Sequence, residues 1–317
     1  MDIQYLLFLQ DMRNAMGGVF DEFFNALSKI AVDVMPLLPF VVFWCVDKKW
    51  GYRFLSFYSG AQMLNGFLKL TVCAYRPWIR SELIEPAGDS KVAATGYSFP
   101  SGHTTLATVM YGGVAVWQYR KRRWLSITCV VLLALTAFSR NYLGVHTPQD
   151  VLVGFGATSL LMFLIVKVQD KIGDDEHMKD ILSAAGVLLV IAVLIYIQVK
   201  PYPMDYVDGE LLVDPQKMMN DTFKACGMFF GFVAGSYIER HYIRYEIPVG
   251  AANLPIVSCI GMMIIISWKE YLGSAIFVEM LGGHWGNFIA RCLMMFFAVA
   301  IYPVCIKKWC QTAQQGR

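Results

Sequence analysis

The amino-acid sequence predicts an all-α protein, a polytopic bundle of transmembrane helices. Composition is the first reason: 56% of the 317 residues are hydrophobic, 16% are charged, and the mean hydropathy is +0.48. These values are too apolar for a soluble domain of this length. The second reason is a series of apolar runs long enough to cross a bilayer. The third is a one-sided distribution of Lys and Arg between those runs.

The apolar runs predict nine membrane-spanning helices, several at the short end of the roughly 17–25 residues that a crossing requires. They lie near 30–46, 54–73, 102–118, 124–139, 150–167, 182–199, 222–238, 251–268 and 287–306.

Residues 1–28 precede the first run and predict an amphipathic helix over 3–28. Apolar residues at helical spacing lie opposite polar ones: Phe20, Phe23, Phe24 and Leu27 against Asp21, Glu22, Asn25 and Ser28. Such a helix either lies at the membrane surface or packs as a soluble N-terminal helix. No cleavable signal peptide is expected, because Asp2 stands where a basic region would begin.

Loop charges predict the orientation in the membrane. One side of a nine-span arrangement holds the basic clusters Lys48, Lys49, Arg53, Arg120, Lys121, Arg122, Arg123, Lys167, Lys171, Lys179, Arg240, Arg244, Lys307, Lys308 and Arg317. The other side holds the acidic Asp205, Asp208, Glu210 and Asp214. By the positive-inside rule the basic side is cytoplasmic, which places the N-terminus outside and the C-terminus inside.

The same composition argues against several other classes of protein. The net charge is only +3 and the basic residues form short clusters, which argues against a nucleic-acid-binding surface. The eight cysteines lie mostly inside apolar runs and form no CxxC pair, so neither a disulfide framework nor a zinc site is expected.

Basic side chains on the outer side form a pattern of their own. Lys69 and Arg76 are seven residues apart, which predicts that both project from one face at the outer end of the second span. Pro77 disfavours helical backbone at Arg76 and is expected to end that helix.

The segment Pro100-Ser101-Gly102-His103 directly precedes the third span. It predicts a helix N-terminus with Ser101 as the cap, so that free backbone N–H groups face whatever binds there. Gly102 allows an anion to approach the backbone closely.

A third segment joins the fourth and fifth spans. Ser139-Arg140 ends one span, and His146-Thr147-Pro148-Gln149-Asp150 opens the next. Thr147 as cap, Pro148 at the first helical position and Asp150 at the third predict a helix start. Asp150 is then about one turn from His146 and is expected to hold its imidazole.

Together, Lys69-x6-Arg76-Pro77, Pro100-Ser101-Gly102-His103 and Ser139-Arg140-x5-His146-x3-Asp150 resemble the three-part signature of the type 2 phosphatidic acid phosphatase and haloperoxidase superfamily. All eleven specified positions agree. The sequence is most similar to the lipid-phosphate phosphatase branch with extra C-terminal spans, which includes sphingosine-1-phosphate phosphatases and glucose-6-phosphatase. It departs from the animal sphingosine-phosphate enzymes at Gly102, where they carry Thr. The signature covers residues 69–150, and the family's six-helix core would extend to about 199.

The resemblance implies a role for each signature residue. His146 would attack phosphorus, Asp150 would orient its imidazole, and His103 would protonate the leaving group. The residues expected to bind the phosphate are Lys69, Arg76, Ser101, Gly102 and Arg140. No metal or other cofactor is expected, because fixed cations would supply the charge and no dense carboxylate cluster accompanies them.

The sequence therefore predicts three parts: an interfacial segment 1–28, a membrane phosphatase core 29–199 and a C-terminal transmembrane extension 200–317. The predicted activity is extracytoplasmic hydrolysis of a phosphate monoester, most simply a lipid phosphate at headgroup level, with no nucleic acid and no obligate protein partner. Alternatives with the same residues are a polyprenyl pyrophosphate, a sugar phosphate or a phosphotransfer reaction. A transporter of phosphorylated solutes is the alternative from another class. The plasma membrane is favoured, and the endoplasmic reticulum is also compatible.

Overall fold

The computed structural model describes residues 1–207, 209–248, 250–269 and 273–315, and in this part of the chain the fold is all-α. Its helices are α1 (Asp2–Ala15), α2 (Asp21–Val46), α3 (Lys48–Val72), α4 (Pro77–Arg80), α5 (Ser90–Ala93), α6 (102–118), α7 (Arg123–Tyr142), α8 (Pro148–Ile172), α9 (Glu176–Val199), α10 (Pro215–Ile238), α11 (Leu254–Ser267), α12 (Gly273–Leu281) and α13 (283–315). Two short antiparallel strands of two residues each, β1 (Tyr206–Val207) and β2 (Glu210–Leu211), follow α9. The predicted fold class is confirmed.

Five of the described helices are long and apolar enough to cross a membrane: α2, α7, α8, α9 and the Gly283–Cys310 part of α13. The predicted runs at 54–73, 102–118, 222–238 and 251–268 lie in α3, α6, α10 and α11, which are helical but fall short in length or hydropathy. The chain is an integral membrane protein that crosses the bilayer several times.

The N-terminal segment differs from the prediction of a single amphipathic helix over 3–28. It forms α1 and the start of α2, separated at Gly17 and Gly18, whose φ angles are +64° and +69°. That left-handed backbone, which suits glycine, ends the first helix. Asp21–Lys29 then continues without a break into the first span, in which Pro36 lies in a 3₁₀ turn and Pro39 lies in the first turn of the α-helical segment that follows. Ser28, on the predicted polar face, is buried.

The chain divides into two compact units, each built from separate segments. The first, hereafter the site unit, contains Met1–Pro36, Leu64–Phe163 and Lys200–Met219. One hydrophobic cluster of this unit joins α2, α7 and the loops beside them through Phe24, Leu27, Ala87, Ala94, Tyr142, Leu143 and Val145. The ring of Phe24 lies 4.7 Å from that of Tyr142, centroid to centroid.

Helix α1 also belongs to the site unit and fixes the loop that follows α4. Arg13 donates from Nη2 to the Glu85 carbonyl oxygen at 2.8 Å, and Gln10 bonds the Leu83 carbonyl and the Glu85 N–H. The N-terminal segment, α1 and the start of α2, is thus packed on α7 as well as on this loop.

The second unit contains Leu37–Met63, Leu164–Val199 and the chain from Asn220 onward. Its core includes Trp44, whose indole Nε1 donates to the Ala298 carbonyl at 2.9 Å. The fully buried Glu239 carboxylate is compensated by Lys48 Nζ at 2.7 Å, by the hydroxyl of Tyr52 and by the Tyr245 N–H at 2.6 Å. A buried carboxylate is tolerated only with such partners.

Close packing of α10 on α13 depends on glycines four residues apart. A Cβ at Gly227 would lie 2.1 Å from the Phe288 carbonyl oxygen, and one at Gly231 would lie 2.2 Å from that of Cys292. Small residues at this spacing let two membrane helices approach until their backbones touch. The predicted three-part division of the chain stays a prediction.

Candidate active site

Arg76 stands beyond the end of α3, not on its last turn as its spacing from Lys69 predicts. The helix ends at Val72, and Cys73 has a left-handed φ of +52°. Arg76 is extended, with φ −64° and ψ 153°, because Pro77 follows it and begins α4. Lys69 remains on α3 and donates from Nζ to the Tyr97 carbonyl at 2.9 Å.

The Arg76 guanidinium joins the loops of the site. It is 5% exposed and donates to the carbonyl oxygens of Gly96, Val145 and Thr95 at 3.0, 2.9 and 3.1 Å. Its Nη1 also lies 3.0 Å from His146 Nε2. Arg76 therefore places a fixed positive charge beside one nitrogen of His146.

Ser101 caps helix α6, as the sequence predicts. Its Oγ accepts from the Thr104 N–H at 3.3 Å, and its own N–H donates to the Asp150 carbonyl at 2.9 Å. The N–H groups of Gly102 and His103, in the first turn, have no carbonyl partner within the helix. Helix α8 closes on this turn at Gly154, where a Cβ would lie 3.0 Å from the Ser101 carbonyl oxygen.

Helix α8 begins with the predicted reciprocal cap. The Thr147 N–H donates to Asp150 Oδ2 at 2.8 Å, and the Asp150 N–H lies 3.4 Å from Thr147 Oγ1. This cap fixes the carboxylate, whose Oδ2 lies 3.4 Å from His146 Nδ1. With Nδ1 facing Asp150, Nε2 is the nitrogen that faces Arg76, and a neutral imidazole then carries its lone pair there.

Two polar residues outside the signature complete this arrangement. Ser98 is 1% exposed, donates from Oγ to Asp150 Oδ2 at 2.5 Å and lies 3.4 Å from His146 Nδ1. Asn141 donates from Nδ2 to the His146 carbonyl at 2.9 Å. Sequence reasoning missed both, because neither the loop residue Ser98 nor Asn141, near the end of α7, belongs to a local pattern that identifies its partner.

His103 and Arg140 complete the set of predicted site residues. His103 is half-buried and within electrostatic reach of Arg140, His146, Arg76 and Lys69. Arg140 is 2% exposed and donates from Nη1 to Ser28 Oγ at 3.0 Å. The structure thus brings together all the side chains that the signature specifies, from α3, α6, α7, α8 and the loops between them.

Burial and charge set the protonation states of His146 and Arg76, whose side chains are in contact. Burial lowers the pKa of His146 well below its usual range, and the Arg76 charge lowers it further, while Asp150 acts in the opposite direction. Burial also lowers the pKa of Arg76, to about 10. At neutral pH the pair is therefore a neutral imidazole beside a charged guanidinium.

The acidic loop that follows α9 contacts the residue next to Arg76. The Tyr75 hydroxyl donates to Asp205 Oδ2 at 2.5 Å, and burial together with that carboxylate raises the pKa of Tyr75 to about 12. Asp208, in the same loop, lies outside the described residues. In the described part of the chain no three His, Cys, Asp or Glu side chains are grouped to hold a metal ion. Metal-free chemistry stays a prediction.

The fold and the signature agree with the comparisons, which show that the chain is a membrane phosphatase, a phosphoric monoester hydrolase. It belongs to the PAP2 superfamily: residues 50–174 match that superfamily, and residues 223–314 match the transmembrane extension of PAP2 superfamily phosphatases. The whole signature lies inside the first match.

Three relatives are similar to this chain. Phosphatidylglycerophosphatase B of Bacillus subtilis is 33% identical over 149 residues, which are 43% of this chain and 69% of the relative. Undecaprenyl-diphosphatase of Sulfolobus acidocaldarius is 26% identical over 135 residues, 43% of this chain and 63% of the relative. Lipid phosphate phosphatase delta of Arabidopsis thaliana is 23% identical over 273 residues, 80% of this chain and 61% of the relative. The chain thus spans about two thirds of each relative's length. No solved structure matches it.

Proposed function

We propose that this protein hydrolyses a lipid phosphate monoester through a phosphohistidine formed at His146 Nε2. The observation that carries the proposal is the 3.0 Å contact between Arg76 Nη1 and His146 Nε2, with Asp150 on the other side of the imidazole. The nitrogen whose lone pair would attack phosphorus thus lies beside a cation that can bind the oxygens of the phosphoryl group.

The first chemical step transfers the phosphoryl group to the protein. The Nε2 lone pair forms the bond to phosphorus as the bond from phosphorus to the lipid oxygen breaks, and His103 gives its proton to the departing alkoxide. Asp150 stabilises the positive charge that develops on the imidazole. Lys69, Arg76, Arg140 and the first-turn N–H groups of α6 stabilise the equatorial oxygens.

The second step returns His146 to its starting state. Neutral His103 takes a proton from water, the water oxygen attacks phosphorus, and the bond from phosphorus to Nε2 breaks. Inorganic phosphate leaves, and His103 carries the proton needed for the next cycle. An alcohol in place of water would make the same site a phosphotransferase.

A lipid substrate is supported by the position of the site on membrane helices. The signature lies at the ends of α3, α7 and α8, where a phosphate headgroup meets the protein. The names of the three relatives refer to phosphatidylglycerophosphate, undecaprenyl diphosphate and lipid phosphate. A sugar phosphate would undergo the same chemistry, but it has no acyl chain that could lie in the bilayer.

An extracytoplasmic site is supported by the lengths of the same helices. Helices α3 and α8 contain 25 residues each, so each is about 37 Å long. Each has the site at one end and basic residues near the other: Lys48 and Lys49 on α3, Lys167 and Lys171 on α8. The positive-inside rule places those basic ends in the cytoplasm. Labelling of cysteines introduced at Glu82 and Arg122 in sealed vesicles tests this. Labelling from one side only would contradict the orientation.

Phosphate release by purified protein from a substrate panel tests the activity. The panel contains phosphatidate, phosphatidylglycerol phosphate, a long-chain-base phosphate, a polyprenyl diphosphate and glucose 6-phosphate. We expect a lipid monoester to be the best substrate, and acid-labile ³²P to appear on the wild type but not on His146→Gln. Preference for glucose 6-phosphate would overturn the lipid assignment. Transport into liposomes without phosphate release would favour a transporter.

A further inference from the structure

Arg140 is held by a residue from a part of the chain outside the matched PAP2 region. Its Nη1 donates at 3.0 Å to the Oγ of Ser28, 112 positions earlier on α2. Arg140 is 2% exposed and Ser28 is 1% exposed. The PAP2 match begins only at residue 50. A buried hydroxyl of the N-terminal segment therefore completes the environment of a signature cation.

Hydrogen bonding fixes the direction in which Ser28 acts. The Ser139 hydroxyl donates its proton to the Thr136 carbonyl at 2.7 Å. A hydroxyl has a single proton, so in the 2.8 Å contact between the two serines Ser28 is the donor and Ser139 the acceptor. Ser28 is then left with lone pairs, which accept from Arg140. The relay runs from Arg140 through Ser28 and Ser139 to the backbone of α7.

A hydroxyl orients the guanidinium without neutralising it. The Arg140 Nε is enclosed and has no hydrogen-bond partner among the described residues. A buried donor of this kind is stabilised when an anion binds. A carboxylate at position 28 would pair with the same cation and compete with phosphate for it. The neutral hydroxyl keeps the full charge of Arg140 for the ligand.

We propose that Ser28 is a positioning residue for the phosphoryl-transfer reaction, which holds Arg140 in the orientation that binds the equatorial oxygens of the transition state. The proposal rests on the proposed function. It also gives the N-terminal segment a part in catalysis. Because Ser28 acts through Arg140, its loss should matter only while Arg140 is present.

A double-mutant cycle tests this dependence. We expect Ser28→Ala to lower kcat about tenfold and to weaken inhibition by orthovanadate by a similar factor. In an Arg140→Ala background the same change should alter both values less than about twofold. The matched control is Ser126→Ala, which removes another buried hydroxyl of this unit, one that donates to the Ala115 carbonyl at 2.8 Å. It should leave both values unchanged.

Two further variants separate positioning from folding. Ser28→Cys keeps the size of the side chain and weakens the acceptor, so it should show a partial loss with an unchanged melting temperature. Ser28→Asp should lose more vanadate affinity than Ser28→Ala, because its charge neutralises Arg140. Equal losses from Ser28→Ala with and without Arg140 would overturn the proposal, as would tighter vanadate binding by Ser28→Asp.

Binding distinguishes failure of this proposal from failure of the proposed function. Orthovanadate affinity is measured by calorimetry on the full-length protein, whether or not any lipid is hydrolysed. If the wild type binds vanadate but hydrolyses nothing in the panel, the proposed function fails while the Ser28 comparison still stands. If it hydrolyses lipid phosphate and Ser28→Ala matches it in both kcat and vanadate affinity, only the positioning role fails.

Discussion

Asp150→Asn isolates the charge of a carboxylate whose surroundings the structure defines closely. Asp150 Oδ2 receives the Ser98 hydroxyl at 2.5 Å and the Thr147 N–H at 2.8 Å, and it faces His146 Nδ1 at 3.4 Å. An asparagine amide oxygen can occupy the same place and accept the same donors. What is lost is the charge that favours a positive imidazole.

The size of the loss follows from those contacts. Hydrogen bonds to charged groups contribute about 1.5–3 kcal/mol and neutral ones about 0.5–1.5 kcal/mol, so replacing the charge costs about 1–1.5 kcal/mol in the transition state. At about 1.4 kcal/mol per factor of ten, Asp150→Asn should lower kcat about tenfold. Asp150→Ala instead leaves Ser98 and Thr147 without an acceptor, so it should also lower the melting temperature.

The assay is phosphate release from the best lipid substrate, with the melting temperature measured on the same preparations. Ser98→Ala is the matched control, because it removes one donor and leaves the charge beside His146; its loss should be smaller than that of Asp150→Asn. Wild-type turnover by Asp150→Asn would refute the catalytic role and leave Asp150 only as the cap of α8. A fall in melting temperature equal to that of Asp150→Ala would show that the amide does not replace the carboxylate as an acceptor.

Three further predictions follow from the same structure. His103→Ala should lose about 10²–10⁴-fold on a lipid phosphate and much less on nitrophenyl phosphate, whose leaving group needs no proton; equal losses in rapid-quench phosphoenzyme formation would exclude His103 as the acid. Because burial and Arg76 lower the pKa of His146, its imidazole should stay neutral as the pH falls through 6.5. The check is a pH titration of the ¹⁵N chemical shift of the His146 imidazole, which is assigned as the signal missing from His146→Gln. A titration midpoint at pH 6.5 or above would contradict the prediction. Gly231→Val should lower the melting temperature strongly, because its Cβ would lie 2.2 Å from a carbonyl oxygen, whereas Gly156→Ala, with nothing within 4 Å, should not; equal effects would refute close packing at Gly231.

The N-terminal segment shows what helical periodicity predicts and what it leaves open. Apolar residues recur at helical spacing around Phe24, and the helix there is real. Its partner is the protein, because Phe24 and Leu27 pack on α7 and Ser28 reaches Arg140. Periodicity identifies the face of a helix that is buried, but it does not identify what covers that face.

The sequence by itself determined what depends on neighbouring residues. Apolar runs determined the all-α membrane class, because each backbone group in a bilayer must find its partner within its own segment. Ser101 and the Thr147–Asp150 pair determined their helix starts, because a cap is a contact across three residues.

Only the tertiary structure decided the contacts that join distant segments. Ser98 meets Asp150 across 52 positions, Arg76 meets His146 across 70, and Ser28 meets Arg140 across 112. Arg76 is placed by an extended segment beyond α3, not by the helical spacing from Lys69. Such contacts depend on how whole helices pack, and packing is fixed by shape and burial across the unit. The identity of a single serine or arginine therefore does not indicate which distant residue it will contact.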